Sequence, residues 1–277
     1  MRFFEKFKMN TLHYFAMTYR YISIILSDKL SFITLILQAP IMLLIIFLTC
    51  KKDFTYYNAM MTLFVIVTIA ITMAILNSYR EVCKERDILK REYDAGLNPI
   101  SYILSKITVQ SIICLFQTLI IVTGVLLYLD INYDPGKEFQ TILLFYVIIF
   151  LTYMASTSFG IMISSVLKNS ESAVLPVLFL IISQVVLSGA LDDLPKSIEW
   201  VSIITISKWS LGALGQVVNM RDLARYYDPT NTGIVKPQNL REIYETPFLP
   251  CLIVLLSIIF ICTIISIISI KRNTKRI

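Results

Sequence analysis

Six apolar runs alternate with polar segments along this chain: Leu30–Thr49, Tyr57–Tyr79, Ile103–Leu129, Phe139–Leu167, Ser172–Leu191 and Pro250–Ile270. Each is close to or longer than the ~20 residues a helix needs to cross a hydrocarbon core of about 30 Å. Ahead of them, residues 1–29 mix aromatics with Arg2, Lys6, Lys8, Arg20 and Lys29. Phe4, Phe7, Leu12, Phe15, Tyr19 and Ile22 give this segment one apolar face, which predicts an amphipathic helix lying in the membrane interface. Between the second and third runs, Ile88, Leu89 and Tyr93 recur at helical spacing among Glu81, Lys84, Glu85, Arg86, Asp87, Lys90, Arg91, Glu92 and Asp94. That pattern predicts a short amphipathic helix over 81–95. Gly96 permits its end, Asn98-Pro99 marks a turn, and Tyr102 and Lys106 lead into the third run. Residues 192–218 are apolar but broken by Pro195, Lys196, Glu199 and Lys208, and they hold both tryptophans, Trp200 and Trp209. A pair of re-entrant or interfacial helices fits them best. Residues 219–247 are polar and read as an external loop.

The expected fold is therefore an all-α integral membrane protein. An amphipathic interfacial helix over 1–29 precedes a domain of six transmembrane helices over 30–277, which also holds the charged helix and the re-entrant pair before the last span. Composition agrees: 16% of residues are charged and 56% hydrophobic, against about 25% charged in soluble domains. The net charge of +6 is a matter of loop asymmetry. Six spans place both termini on one side, together with 16 of the 25 Lys and Arg. The basic excess predicts a multi-pass plasma-membrane protein with both termini and the 81–106 segment in the cytoplasm. No basic, aromatic-interleaved soluble domain is present, so nucleic acid is not an expected partner. Membrane lipids are. No small-residue cleavage site follows the first run, so no cleavable signal peptide is expected.

Candidate chemistry is sparse. The five cysteines match no metal spacing, and one histidine, His13, cannot complete a Ser/His/Asp, Cys/His or HExxH constellation. No Gly-rich phosphate loop is present, and the spans carry almost no ionisable groups of the kind that ion-coupled transport needs. Ser156, Gly160 and Ser164, spaced by four, suit close helix packing. The chain is thus not expected to be an enzyme. If it moves a solute against a gradient, another polypeptide must deliver the energy, and the charged helix is the natural delivery point.

That helix carries a resemblance. Glu85-Arg86-Asp87-Ile88-Leu89-Lys90-Arg91-Glu92-Tyr93, then Gly96 and Ser101–Lys106, resembles the first cytoplasmic coupling helix of type-2 ABC exporter permeases, closest to the G-subfamily kind and to bacterial multidrug or peptide exporters. Arg20-Tyr21, Asp28-Lys29 and Gln38-Ala39-Pro40 are similar to the connecting helix and first span of bacterial relatives. Ser188-Gly189, Pro195, Trp200 and Ile206–Trp209 are similar to the end of the fifth span and its re-entrant helices. The resemblance implies a permease that pairs with a second copy or a paralogue and docks two ABC ATP-binding subunits. ATP and Mg²⁺ would belong to those subunits, with no cofactor in this chain. It further implies an ATPase-coupling set of Glu85, Arg86, Lys90, Arg91 and Glu92, with a second contact at Lys168 and Glu171. Ile69, Ala70, Met73, Ile182 and Val185 would line a substrate cavity, below an outer gate at Ala190 and Leu191. The chain starts at Met1 without an ATPase, so that domain is expected on a separate chain or removed. The polar loop lacks the cysteines of animal members, which implies a bacterial source. The implied cargo is amphipathic or hydrophobic: a drug, lipid or peptide. A non-transporting scaffold or sensor, or a nucleotide-independent pore, shares the same hydrophobic pattern. A stable ATPase partner discriminates between these readings.

Overall fold

The computed structural model describes residues 2–129, 136–167, 169, 171–190, 195, 199–226 and 242–275. Their regular structure is helical. Helix α1 (Arg2–Ser27) runs into α2 (Lys29–Thr49), and Asp28 marks the break. The Asp28 carboxylate accepts from the Ser31 amide at 3.3 Å and the Ser31 hydroxyl at 2.6 Å, which caps the new helix. Next come α3 (Tyr56–Ser78), a 3₁₀ turn (Cys83–Glu85), α4 (Arg86–Asp94), α5 (Pro99–Tyr128) and α6 (Glu138–Val166). The chain continues through α7 (Val174–Val186), α8 (Glu199–Ser202), α9 (Ile206–Val217), α10 (Met220–Tyr226) and α11 (Phe248–Lys275).

Helix α3 is the centre of the bundle and packs against α6, with α2, α7 and α9 around it. Its buried side includes Leu63, Ile66, Val67, Ala70 and Ile71. The small residues predicted on α6 make this contact possible. A Cβ at Gly160 would lie 2.0 Å from the Ser78 hydroxyl oxygen and 3.2 Å from the Ile75 carbonyl oxygen, so the two backbones meet where only glycine fits. Helices α5 and α11 pack on the other faces of α6, and α1 lies along α5. Leu12, Phe15 and Tyr19 remain exposed on α1.

Five helices are long and apolar enough to cross a membrane: α2, α3, α5, α6 and α11. The segment expected as the fifth span, Ser172–Leu191, holds a shorter apolar helix. Its helix is only the 13 residues Val174–Val186, about 20 Å at 1.5 Å per residue. The helix stops because Ser188 turns back on the backbone, its hydroxyl donating to the Val185 carbonyl at 2.9 Å and accepting from the Ala190 amide at 3.2 Å. Gly189 adopts φ +75°, a left-handed conformation that ends helices. The Gln184 side chain then serves another helix: its Oε1 accepts the Ile206 and Ser207 amides at 2.8 and 3.1 Å, capping buried α9. The one-turn α8 and the longer α9 occupy the stretch expected to form a re-entrant pair. Lys168, Leu191, most of 192–198 and residues 227–241 of the expected loop lie outside the described residues. The five cysteines are free and buried.

Candidate coupling site

Helix α4 is held at the end of the bundle by contacts that its sequence alone does not reveal. Ser164, the last of the small residues on α6, accepts the Val82 and Cys83 amides at 2.9 and 3.0 Å. The Cys83 thiol donates to the Ser164 carbonyl at 2.9 Å, and Arg86 donates to the Leu167 carbonyl. Leu89 is 3% exposed and packs in a small separate core with Val82, Leu97, Tyr102, Ile103, Ile161 and Ile270. At the far end Gly96, at φ +99°, lets the Leu97 amide return to the Glu92 carbonyl at 2.9 Å. Asn98 then caps α5, with Pro99 in its first turn.

Beneath α4 lies a buried ion network centred on Lys106, which is 1% exposed. Its Nζ is 2.7 Å from Glu85 Oε1 and 3.7 Å from Glu81 Oε2, and sits 3.6 Å from the Tyr21 ring centroid. Tyr102 donates to Glu85 Oε2 at 3.0 Å, and Tyr21 donates to Glu81. Lys84 pairs with Glu81 at 2.5 Å. Arg20 pairs with Glu92 and approaches Glu85 at 3.9 Å. Three cations thus meet three carboxylates drawn from α1, the turn after α3, the 3₁₀ segment, α4 and α5. A buried ammonium is tolerable only with such neutralisation. Burial, then the charge of Glu81, pushes the Tyr21 phenol well above its ordinary range, which keeps it a donor.

The residues of the expected contact set are divided between two sides of the helix. Glu85 faces inward and is buried, because Lys106 needs a counter-ion. Glu92 is turned to Arg20, and Arg86 to the Leu167 carbonyl. Lys90 is half-buried. Arg91 is exposed, as is Glu171 in the turn before α7. The outward stripe of the segment is Lys84, Asp87, Ile88, Arg91 and Asp94, with Ile88 52% exposed. Sequence reasoning missed Arg20, Tyr21, Glu81, Tyr102 and Lys106 as members of the site. The signal was available: Lys106 is a lone charge opening an apolar run, and a charge in such a place demands a partner.

The five residues expected to line a cavity are not brought onto one wall. Ala70 and Met73 point into the bundle, where the Tyr153 hydroxyl donates to the Met73 sulfur at 3.4 Å. Ile69 and Val185 are half-buried and Ile182 is exposed. The open stripe of α3 carries Tyr57, Met61, Thr68, Ile69, Thr72 and Leu76, and of the expected α3 residues only Ile69 lies on it. Ala190 is buried beside Gly189.

Comparison with known proteins is consistent with this architecture. Residues 13–218, from within α1 to the end of α9, match the family described as ABC-2 type transporter. A 157-residue stretch is 24% identical to an ABC transporter ATP-binding/permease protein of Mycobacterium tuberculosis, covering 54% of this chain and 18% of that protein. The chain therefore spans less than a fifth of the length of that curated relative.

Proposed function

This chain belongs to the ABC-2 type transporter family, and on that premise we propose that it is the membrane-spanning permease subunit of an ATP-driven exporter, with α4 as its docking helix. The observation that carries the proposal is the two-sided construction of the charged segment. Lys84, Asp87, Ile88 and Arg91 face outward, while Glu85 and Glu92 on the opposite side are tied through Lys106 and Arg20 to α5 and α1. A push on the outer stripe is thereby delivered to a connecting helix and a membrane span together.

ATP and Mg²⁺ would be bound by ABC ATP-binding subunits, or by a linked ATP-binding domain, as the name of the mycobacterial relative suggests for that protein. Closure of those subunits on ATP would shift α4 and switch the bundle between inward-open and outward-open states. With α7 as a short sixth crossing, both termini would lie in the cytoplasm of a bacterial plasma membrane. The open face of α3 and exposed Leu178, Ile182 and Val186 of α7 would meet a second copy or paralogue. The space between them, lined by Ile69, Thr72, Ile182 and Val185, is apolar and suits an amphipathic drug, lipid or peptide.

The test is co-purification from native membranes in mild detergent. An ATP-binding-cassette subunit should be recovered with the wild-type chain. An Ile88→Asp/Arg91→Glu variant should lower that recovery by about tenfold or more, the loss expected for a contact hot spot. Equal recovery with both chains rejects α4 as the docking helix.

A further inference from the structure

On the side of α4 that faces α11 there is a cleft of about 130 Å³ lined by Val82, Arg86, Asp87, Leu89, Lys90, Ser165, Ile270 and Asn273. We propose that this cleft binds a phosphate group, supplied either by an anionic lipid headgroup or by a soluble phosphate. It is a different face of the helix from the outer stripe: Val82, Arg86, Leu89 and Lys90 repeat at helical spacing, offset from Lys84, Ile88 and Arg91. Only Asp87 adjoins both.

Four features support the assignment. Arg86 and Lys90 lie four residues apart on α4 and both face the cleft. Among the described residues neither is paired with a carboxylate, and Arg86 spends one donor on the Leu167 carbonyl. A guanidinium fork and an ammonium are the side chains that bind phosphate oxygens. Asn273 is held in place by its own amide nitrogen, which donates to the Ser165 carbonyl at 3.2 Å and the Ser269 hydroxyl at 3.3 Å. Its Oδ1 is an acceptor, so it serves a bound water or a headgroup hydroxyl and not the phosphate oxygens themselves. The walls Val82, Leu89 and Ile270 are buried and apolar, which strengthens charge interactions inside.

Position supplies the fourth feature. Ile270, which lines the cleft, is the last apolar residue of α11 before exposed Lys271 and Arg272, so the cleft lies at the end of a membrane span. Asp87 is the one carboxylate on its rim, and the surrounding cations outnumber it. Basic pockets at this depth are suited to anionic headgroups. The volume holds a phosphate or several waters, each water filling about 30 Å³ in the liquid. The proposal goes beyond the transport reading and takes from it only that the chain spans a membrane.

The experiment uses the full chain in dodecyl maltoside. Native mass spectrometry compares retention of phosphatidylglycerol with phosphatidylcholine of the same acyl chains, and thermal unfolding is followed with and without inorganic phosphate. If a lipid is the source, phosphatidylglycerol is retained preferentially. Lys90→Gln weakens that retention by about tenfold, the value of one charge-assisted hydrogen bond. Lys90→Arg keeps it, and Lys51→Gln, at an exposed site away from α4, leaves it unchanged. If the source is soluble, inorganic phosphate alone raises the unfolding temperature with the same dependence on Lys90. No lipid preference and no phosphate response, or a preference indifferent to both Lys90→Gln and Arg86→Gln, overturns the proposal. The readout needs neither nucleotide nor partner, so its failure and a failed co-purification are separate results.

Discussion

Two buried regions hold this molecule together by opposite means. At one end, the network around Lys106 joins α1, α4 and α5 through charge. In the bundle, the α3–α6 seam joins two spans through the absence of side-chain bulk at Gly160 and its small neighbours. The seam gains from van der Waals contact between backbones and asks nothing of protonation or partner identity. The network contributes little net stability, since desolvating Lys106, Glu85 and Glu81 offsets most of their attraction. What it gives is geometry: each carboxylate has one place to be. A rigid seam beside a charge-fixed end is the combination expected where a push must travel without being absorbed by soft packing.

The sharpest way to break this contrast is to remove one charge and then its partner. Lys106→Met should destabilise the chain by about 3–5 kcal/mol, because buried Glu85 loses its close counter-ion and keeps only Arg20 at 3.9 Å. Adding Glu85→Gln should recover a large part of that loss in detergent thermal unfolding. The contrast predicts that partner-driven ATP hydrolysis stays low in the double variant even though stability returns. A double variant as unstable as the single would mean that the network is a stabilising core like any other.

Next in size is the seam. Gly160→Val should cost about 2–3 kcal/mol by overpacking, since the new Cβ would overlap the Ser78 hydroxyl and press on the Ile75 carbonyl. No second charge change should rescue it, whereas Ser78→Gly should relieve part of the strain. Thermal unfolding that is unchanged in Gly160→Val would show that α3 and α6 can separate freely, and the seam would lose its role as the rigid member of the pair.

The two regions were not equally legible in the sequence. The apolar runs gave five of the long helices to within a few residues, because hydrophobic length is a one-dimensional property of the chain. The shortened α7 was hidden, since its end depends on Ser188 and Gly189 turning the backbone and on Gln184 capping a helix 22 residues away. The charged segment announced itself by composition, and its outward and inward faces did not: both are equally polar. What separates them is Lys106 and Arg20, brought in from other helices. The division of the expected cavity residues has a related cause. Ala70, Met73 and Ile69 are all apolar, and only the neighbours of α3 decide which of its faces is covered.

Ser164 belongs to both regions and gives the most selective perturbation. Its place on α6 makes it the last member of the small-residue series, and its hydroxyl oxygen accepts the Val82 and Cys83 amides that open the charged segment. Ser164→Ala keeps the small volume that the seam needs and removes only the acceptor. Two buried amides then lose their partner, at about 1–3 kcal/mol for an unsatisfied buried group. If the regions are distinct devices joined at this point, amide exchange should rise at Val82, Cys83 and the first turn of α4, while α3 and the rest of α6 stay protected. Ser164→Thr, which restores the hydroxyl, should return exchange toward the wild-type rate where its methyl is accommodated. Uniform loss of protection along α6 in Ser164→Ala would mean instead that seam and network open as one unit. The charged end would then be an extension of the bundle, without independent movement to transmit.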